Sequence, residues 1–175
     1  AEPFYQLFVL TALARNGRLQ QALDVLRRRF TPMLSSQTGT IWEYWGGKQH
    51  RGPGSDCGSL CHAFSCAMLY IYPTFLLGIE PEEDGFRRFR CAPQTGGLGF
   101  AQGRVPTPYG SVEVSWLDSP EQFGLSLAVP PEEPRCRLVL PFGGASVSIR
   151  DSSLRKFAYK EGGIDLVPGK YTCIV

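Results

Sequence analysis

The stretch "LLGIEPEEDGFRRFRCA", Leu76 to Ala92, divides the chain into two kinds of sequence. Ahead of it, apolar residues recur with the period of a helix; after the acidic "EPEEDG" they come in short β-favouring runs separated by turn residues. A chain divided in this way reads as α+β, with a boundary near residues 80–85, a helical part over 1–82 and a strand part over 83–175.

Downstream of the boundary the runs are "FRRFRCA", "GLGFAQG", "GSVEVSW", "FGLSLAVP", "RCRLVLPF", "ASVSIR" and "KYTCIV". Glu113 between Val112 and Val114, and the alternation over Arg135 to Leu140, have the period of two that leaves one face buried. Short strands with Gly and Pro between them predict an antiparallel β-sandwich.

Upstream, "FYQLFVLTALA" from Phe4 to Ala14 is apolar almost all round, and Asn16-Gly17 is a natural helix stop. The next run, "RLQQALDVLRRRF", places Leu19, Ala22, Leu23, Leu26 and Phe30 on one helical face and leaves Asp24, Arg27 and Arg28 for solvent, which predicts an antiparallel helical hairpin. A third helix is predicted from about Ser59 to Tyr72, "SLCHAFSCAMLYIY", with Pro73 ending or kinking it. Three helices that are apolar on most sides cannot cover one another. An exposed apolar surface should remain unless more helical chain, or another copy of this one, covers it.

Composition bounds the function. The 175 residues are 43% apolar and 19% charged, in the globular range. Residues 1–80 carry seven basic and five acidic side chains and residues 81–175 eleven of each, so neither part has the basic field a phosphate backbone requires. No nucleic-acid partner is expected. The triplet Arg27 to Arg29 reads as a solvated face near a helix C-terminus. No apolar run approaches the roughly 20 residues that span a bilayer, so no membrane anchor is expected. A start on Ala1 without methionine suggests a fragment or processed product. Six cysteines in a chain of this length form no disulfide scaffold, and the compartment stays open, the cytoplasm favoured over secretion. No cofactor is called for.

Two constellations carry possible chemistry. Cys57, Cys61, His62 and Cys66 are zinc-type ligands. On a continuous helix, though, positions 57 and 66 lie roughly 13 Å apart, while zinc ligands sit within about 2.3 Å of the ion. No metal site is expected. Cys61 with His62 as its base is improbable for the related reason that sequence neighbours diverge on a helix. His62 is either a core histidine bonded to backbone or a pocket residue at the start of its helix. The second constellation, "TIWEYWGG" at Thr40 to Gly47, sets Glu43 between Trp42 and Trp45 inside the long loop 35–58. Aromatic faces stack on sugar C–H surfaces, and apolar surroundings suit a carboxylate that exchanges protons. A glutamate that caps a turn or pairs with a basic side chain fits the same pattern.

The runs "NGRLQQALDVLRRRFTPMLSSQTGTIWEYWGG" and "GSLCHAFSCAMLYIYPTFLLGIEPEEDGFRRFRCAPQTGGLGFAQGRVPTPYGSVEVSW" together resemble the C-terminal end of bacterial-type α-L-rhamnosidases, the family-78 glycoside hydrolases. The likeness implies the last helices of an (α/α)6 barrel followed by a C-terminal β-sandwich, and inverting hydrolysis of terminal α-L-rhamnosides. By the same likeness Glu43 matches the general base and His62 a histidine that lines the rhamnose pocket, with Trp42 and Trp45 as its aromatic wall. The resemblance implies a rhamnoside-containing carbohydrate as partner, and a missing barrel segment or homo-oligomer contact over the exposed helices. The general acid belongs to an earlier barrel loop, and residues 1–40 contain nothing like it, so the chain on its own is expected to be inactive. A non-catalytic carbohydrate-binding or structural module, and a degenerate family member kept for oligomer assembly, are the alternative readings.

Overall fold

The computed structural model describes residues 2–45, 58–132, 134–142, 147–160 and 162–175, and the fold is α+β. Two compact units divide it, Ala1–Tyr72 and Pro73–Val175, the division falling ahead of the 80–85 region where the composition changes.

In the first unit a 3-10 turn, Pro3–Tyr5, leads into α1, Gln6–Arg15. Asn16-Gly17 ends it as expected. The Arg18 N–H reaches back to the Leu13 carbonyl at 2.9 Å and the Gly17 N–H to Ala14 at 3.1 Å, which satisfies carbonyls the helix itself leaves open. The second helix, α2, runs Leu19–Leu34 and buries Leu19, Ala22, Leu23, Leu26, Phe30 and Met33, the face anticipated from spacing and one turn more. Pro32 stands in its last turn, where a missing N–H costs one helical bond without breaking the helix. Against this buried stripe, α1 buries only Gln6, Leu10 and Ala14 and leaves Phe8 and Val9 exposed.

The third predicted helix is corrected. Residues 59–62 are not helical; a 3-10 turn spans Ala63–Ser65, and α-helix is confined to α3, Met68–Ile71. Pro73 does not end the helical run. It lies in a π turn, Tyr72–Leu76, the wider geometry that forms where the usual ladder of bonds is interrupted. Apolar content over 59–67 suggested a helix, but His62 is extended, at φ −126° and ψ 104°, because its backbone bonds to another segment instead.

The second unit contains two sheets. The smaller has the order β1-β2-β6-β9, from β1 Ile79–Pro81, β2 Arg88–Cys91, β6 Arg135–Leu138 and β9 Ile164–Leu166. The larger has the order β3-β4-β5-β10-β7-β8, from β3 Phe100–Thr107, β4 Gly110–Asp118, β5 Phe123–Val129, β7 Ser148–Asp151, β8 Lys156–Phe157 and β10 Gly169–Ile174. The pairings are antiparallel except β2 with β6, which is parallel, so the expectation of a wholly antiparallel sandwich is corrected at that pair. A parallel pair needs a long crossover, and β3, β4 and β5 provide it.

Phe89 and Cys91 point into the core at 0% exposure, while Arg88 and Arg90 face outward. Arg90 meets Glu80, its registered partner, at 2.7 Å; Arg88 meets Glu82 at 3.0 Å and Asp165 at 3.1 Å. The acidic half of the 76–92 stretch folds back to neutralise its basic half. Gly78 allows the close return: at φ +74° a Cβ would sit 2.2 Å from the Ala92 carbonyl carbon, so only glycine fits. Inward rows of the larger sheet, Val112, Val114, Trp116, Leu125, Leu127, Ile149 and Cys173, complete the core. Burial, with Cys91 nearby, pushes the Cys173 thiol up to about 12.

Candidate functional site

The loop after α2 and the segment before the 3-10 turn hold each other as extended chains. The Glu43 N–H donates to the Ser59 carbonyl at 2.9 Å and the His62 N–H to the Ile41 carbonyl at 2.8 Å. The Thr40 hydroxyl donates to the Leu60 carbonyl. This pairing brings the two sequence-identified segments together across the long loop, and residues 46–57, including Gly46, Gly47 and Cys57, lie outside the described residues.

Within the pairing Glu43 is anchored through its side chain as well. The Ser59 N–H donates to Glu43 Oε2 at 2.9 Å, a charge-assisted bond that fixes one carboxylate oxygen. Gly58 lies under the Tyr44 ring, where a Cβ would come within 2.2 Å of Tyr44 Cδ2. The other described carboxylates of this unit stand elsewhere in sequence: Glu2 precedes the first turn, and Asp24 pairs with Arg27 at 3.2 Å on the exposed side of α2.

The two tryptophans have separate supports. Trp42 donates its indole N–H to Thr38 Oγ1 at 3.2 Å, and its backbone N–H meets Met33 Sδ at 3.4 Å. Trp45 meets Phe30 edge-on at 5.1 Å between ring centroids, and the Arg29 guanidinium lies 5.4 Å from the Trp45 ring. Both rings are half-buried, with α2 supporting the loop that carries Glu43.

His62 is half-buried and held from two sides. Its Nδ1 lies 3.0 Å from Ser65 Oγ, and Phe64 meets it edge-on at 5.5 Å. Phe64, 73% exposed, also meets Phe4 at 6.2 Å, so the histidine adjoins an exposed aromatic surface formed with Tyr5 and Phe8. Residue-type reasoning passed over Ser59, Phe64 and Ser65. For Ser65 a signal existed, a hydroxyl three residues after a candidate histidine.

The backbone over 59–62 is not helical and only a 3-10 turn follows, so helical rise does not set the spacing of Cys61, His62 and Cys66. Among the described residues no three of His, Cys, Asp and Glu gather as a metal site. Cys66 Sγ contacts the His62 carbonyl at 3.9 Å rather than its ring, and burial, then the neighbouring Cys61, push its thiol up. A thiol so shifted is a poor thiolate nucleophile at neutral pH.

The second unit has its own concavity. An open trough of about 600 Å³ lies on the larger sheet, lined by Gln102, Glu113, Ser115, Ser126, Lys170 and Thr172 among others. Trp116 does not reach it: its indole is 3% exposed on the inner side and donates to the Leu76 carbonyl at 2.7 Å. Among the described residues no helix is long and apolar enough to cross a membrane.

Residues 78–153 match the family model of the bacterial α-L-rhamnosidase C-terminal domain. An α-L-rhamnosidase of Alteromonas sp. (strain LOR) is 31% identical over 126 residues, 67% of this chain and 14% of that protein. Of solved structures, the GH78 family rhamnosidase of Bacillus sp. GL1 has 34% identity and a TM-score of 0.71 over 81% of this chain and 15% of its own. The α-L-rhamnosidase of Dictyoglumus thermophilum has a TM-score of 0.78 over 97% of this chain and 20% of its own, at 18% identity a likeness of fold alone. This chain spans a fifth or less of each of these proteins. With residues 78–153 matched by the family model, and with relatives of which this chain covers a fifth or less, the chain is related to the C-terminal part of the bacterial, family-78 α-L-rhamnosidases.

Proposed function

We propose that this chain is the C-terminal part of an enzyme that hydrolyses terminal α-L-rhamnosides with inversion, with Glu43 as general base. The observation that supports this reading is the anchored Glu43 carboxylate on a loop paired to the His62 segment. Inversion needs two carboxyl groups about 6.5 to 9.5 Å apart. Glu43 takes a proton from water as its oxygen attacks the anomeric carbon; the second group protonates the leaving glycosidic oxygen. His62, Trp42 and Trp45 line the rhamnose pocket. The helical residues, to about 82, supply the last helices of an (α/α)6 barrel, and residues 83–175 the β-sandwich. The acid comes from an earlier segment of the longer protein, and further barrel helices or a second copy cover the exposed aromatic surface. The compartment proposed for it is the cytoplasm rather than the outside of the cell.

The test is an assay on an aryl α-L-rhamnoside of this 175-residue chain, of a longer parent and of Glu43→Gln in each. Turnover by the parent that is abolished by Glu43→Gln, with none from the short chain, is the expected result. Turnover by the short chain well above its own Glu43→Gln form would refute the reading.

The trough on the larger sheet favours a second reading, a non-catalytic carbohydrate-binding module. Calorimetric titration of rhamnose and rhamnosyl oligosaccharides into residues 73–175 tests it, because binding there is independent of Glu43. Tryptophan fluorescence would be a poor probe, since Trp116 faces the core.

A further inference from the structure

Ser65 is fully buried, at 0% exposure, on the 3-10 turn Ala63–Ser65 that follows His62. Its Oγ lies 3.0 Å from His62 Nδ1, the one hydrogen bond this hydroxyl makes among the described residues. A buried hydroxyl left without an acceptor is costly, so its proton goes to an acceptor wherever one exists. Nδ1 is that acceptor here. Neutral imidazole with an accepting Nδ1 must have its proton on Nε2. We infer that Ser65 is a positioning residue that holds His62 as the Nε2–H tautomer, so that the ring offers a hydrogen-bond donor at its far edge.

The local geometry explains why this serine can do so. In a 3-10 turn, residues three apart eclipse each other, and the Ser65 N–H donates to the His62 carbonyl at 3.1 Å, which holds residue 65 against residue 62. Phe64, edge-on to the imidazole at an interplanar angle of 82°, restricts the ring from a second direction. A donor of fixed direction suits a sugar hydroxyl oxygen. That part of the inference rests on the reading of His62 as a pocket residue; the tautomer does not.

The chain has two histidines, His50 and His62, so long-range proton–nitrogen correlation spectra of the 175-residue chain, assigned with His50→Gln, read the tautomer directly. The expected result is His62 in the Nε2–H form, with an Nδ1–H population appearing in Ser65→Ala. An Nδ1–H tautomer in the unmodified chain overturns the inference, and so does a His62 spectrum unchanged by Ser65→Ala. The unmodified chain decides the matter even if Ser65→Ala does not fold. In a longer parent, Ser65→Ala should raise KM about fivefold, the worth of one net hydrogen bond, with kcat within about twofold. A loss in kcat with unchanged KM overturns the positioning role. A parent with no rhamnosidase activity at all would count against the proposed function, while the tautomer spectrum would still stand or fall by itself.

Discussion

The helical unit and the β unit distribute their exposed apolar side chains differently. In the β unit Phe89, Cys91, Cys136, Leu138, Ile149 and Cys173 are all at 0% exposure, and alternate residues of the same strands face solvent. In the helical unit Phe8, Phe64 and Leu69 are 59%, 73% and 74% exposed. The β unit exposes large apolar side chains too, Phe100 and Leu154 at 69% and 72%, but the helical unit gathers exposed rings, Phe4, Tyr5, Phe8 and Phe64, into one contacting aromatic surface of the kind that marks an interaction site. The candidate chemistry lies on the helical unit, in loops whose backbone bonds come from each other.

Predictions follow this contrast. The largest expected effect is on chemistry: in a longer parent, Glu43→Gln should lower kcat/KM on an aryl rhamnoside by about 10²- to 10⁴-fold, the usual worth of a general base. A drop below tenfold would remove Glu43 from that role. Next in size is the β core, where Phe89→Ala should cost about 3 to 5 kcal/mol of unfolding free energy in urea. A cost under about 1 kcal/mol would mean that the core is less closed than described.

The buried thiol sets a pH dependence. Cys173 has a folded pKa near 12 against an ordinary 9.0, raised first by burial and then by Cys91. Below pH 9 both states keep the proton and nothing changes. Between 9 and about 12 the unfolded thiol ionises while the folded one does not, so stability falls with rising pH. By pH 10 the loss is about 1.4 kcal/mol, and Cys173→Ala should remove that share of the slope in urea titrations. A slope unaffected by the substitution would show that the thiol is not shielded. The smallest effect belongs to the open surface: Phe8→Ser in this chain should change stability by no more than about 0.5 kcal/mol, while reducing self-association in sedimentation. A cost of about 2 kcal/mol or more would mean that Phe8 is already packed and the contrast between the units is false.

Legibility differed between the two units for a physical reason. Strands such as β4, Gly110–Asp118, and β5, Phe123–Val129, were readable because one buried face imposes a period of two. The strands missed, β1, β8 and β9, are two or three residues long, too short to show a period. The α1–α2 hairpin was readable from its apolar stripe and the Asn16-Gly17 stop. Residues 59–67 misled because apolar content says how buried a segment is, not which bonds its backbone makes. Glu43 and His62 were singled out by residue type as candidates; the bonds that anchor them, to Ser59 and Ser65, were not legible, since neither serine differs in type from a loop serine.

Local pattern by itself thus determined which residues face inward, where the first hairpin turns, and that helices precede strands. Pairing was decided only by the tertiary structure: β2 beside β6 in parallel, β10 between β5 and β7, and the Ile41–Glu43 segment against Ser59–His62. A periodic pattern specifies a face, and many partners can cover a face equally well. Which one does so depends on burial and backbone bonding summed across residues far apart in the chain, and no short window contains that sum.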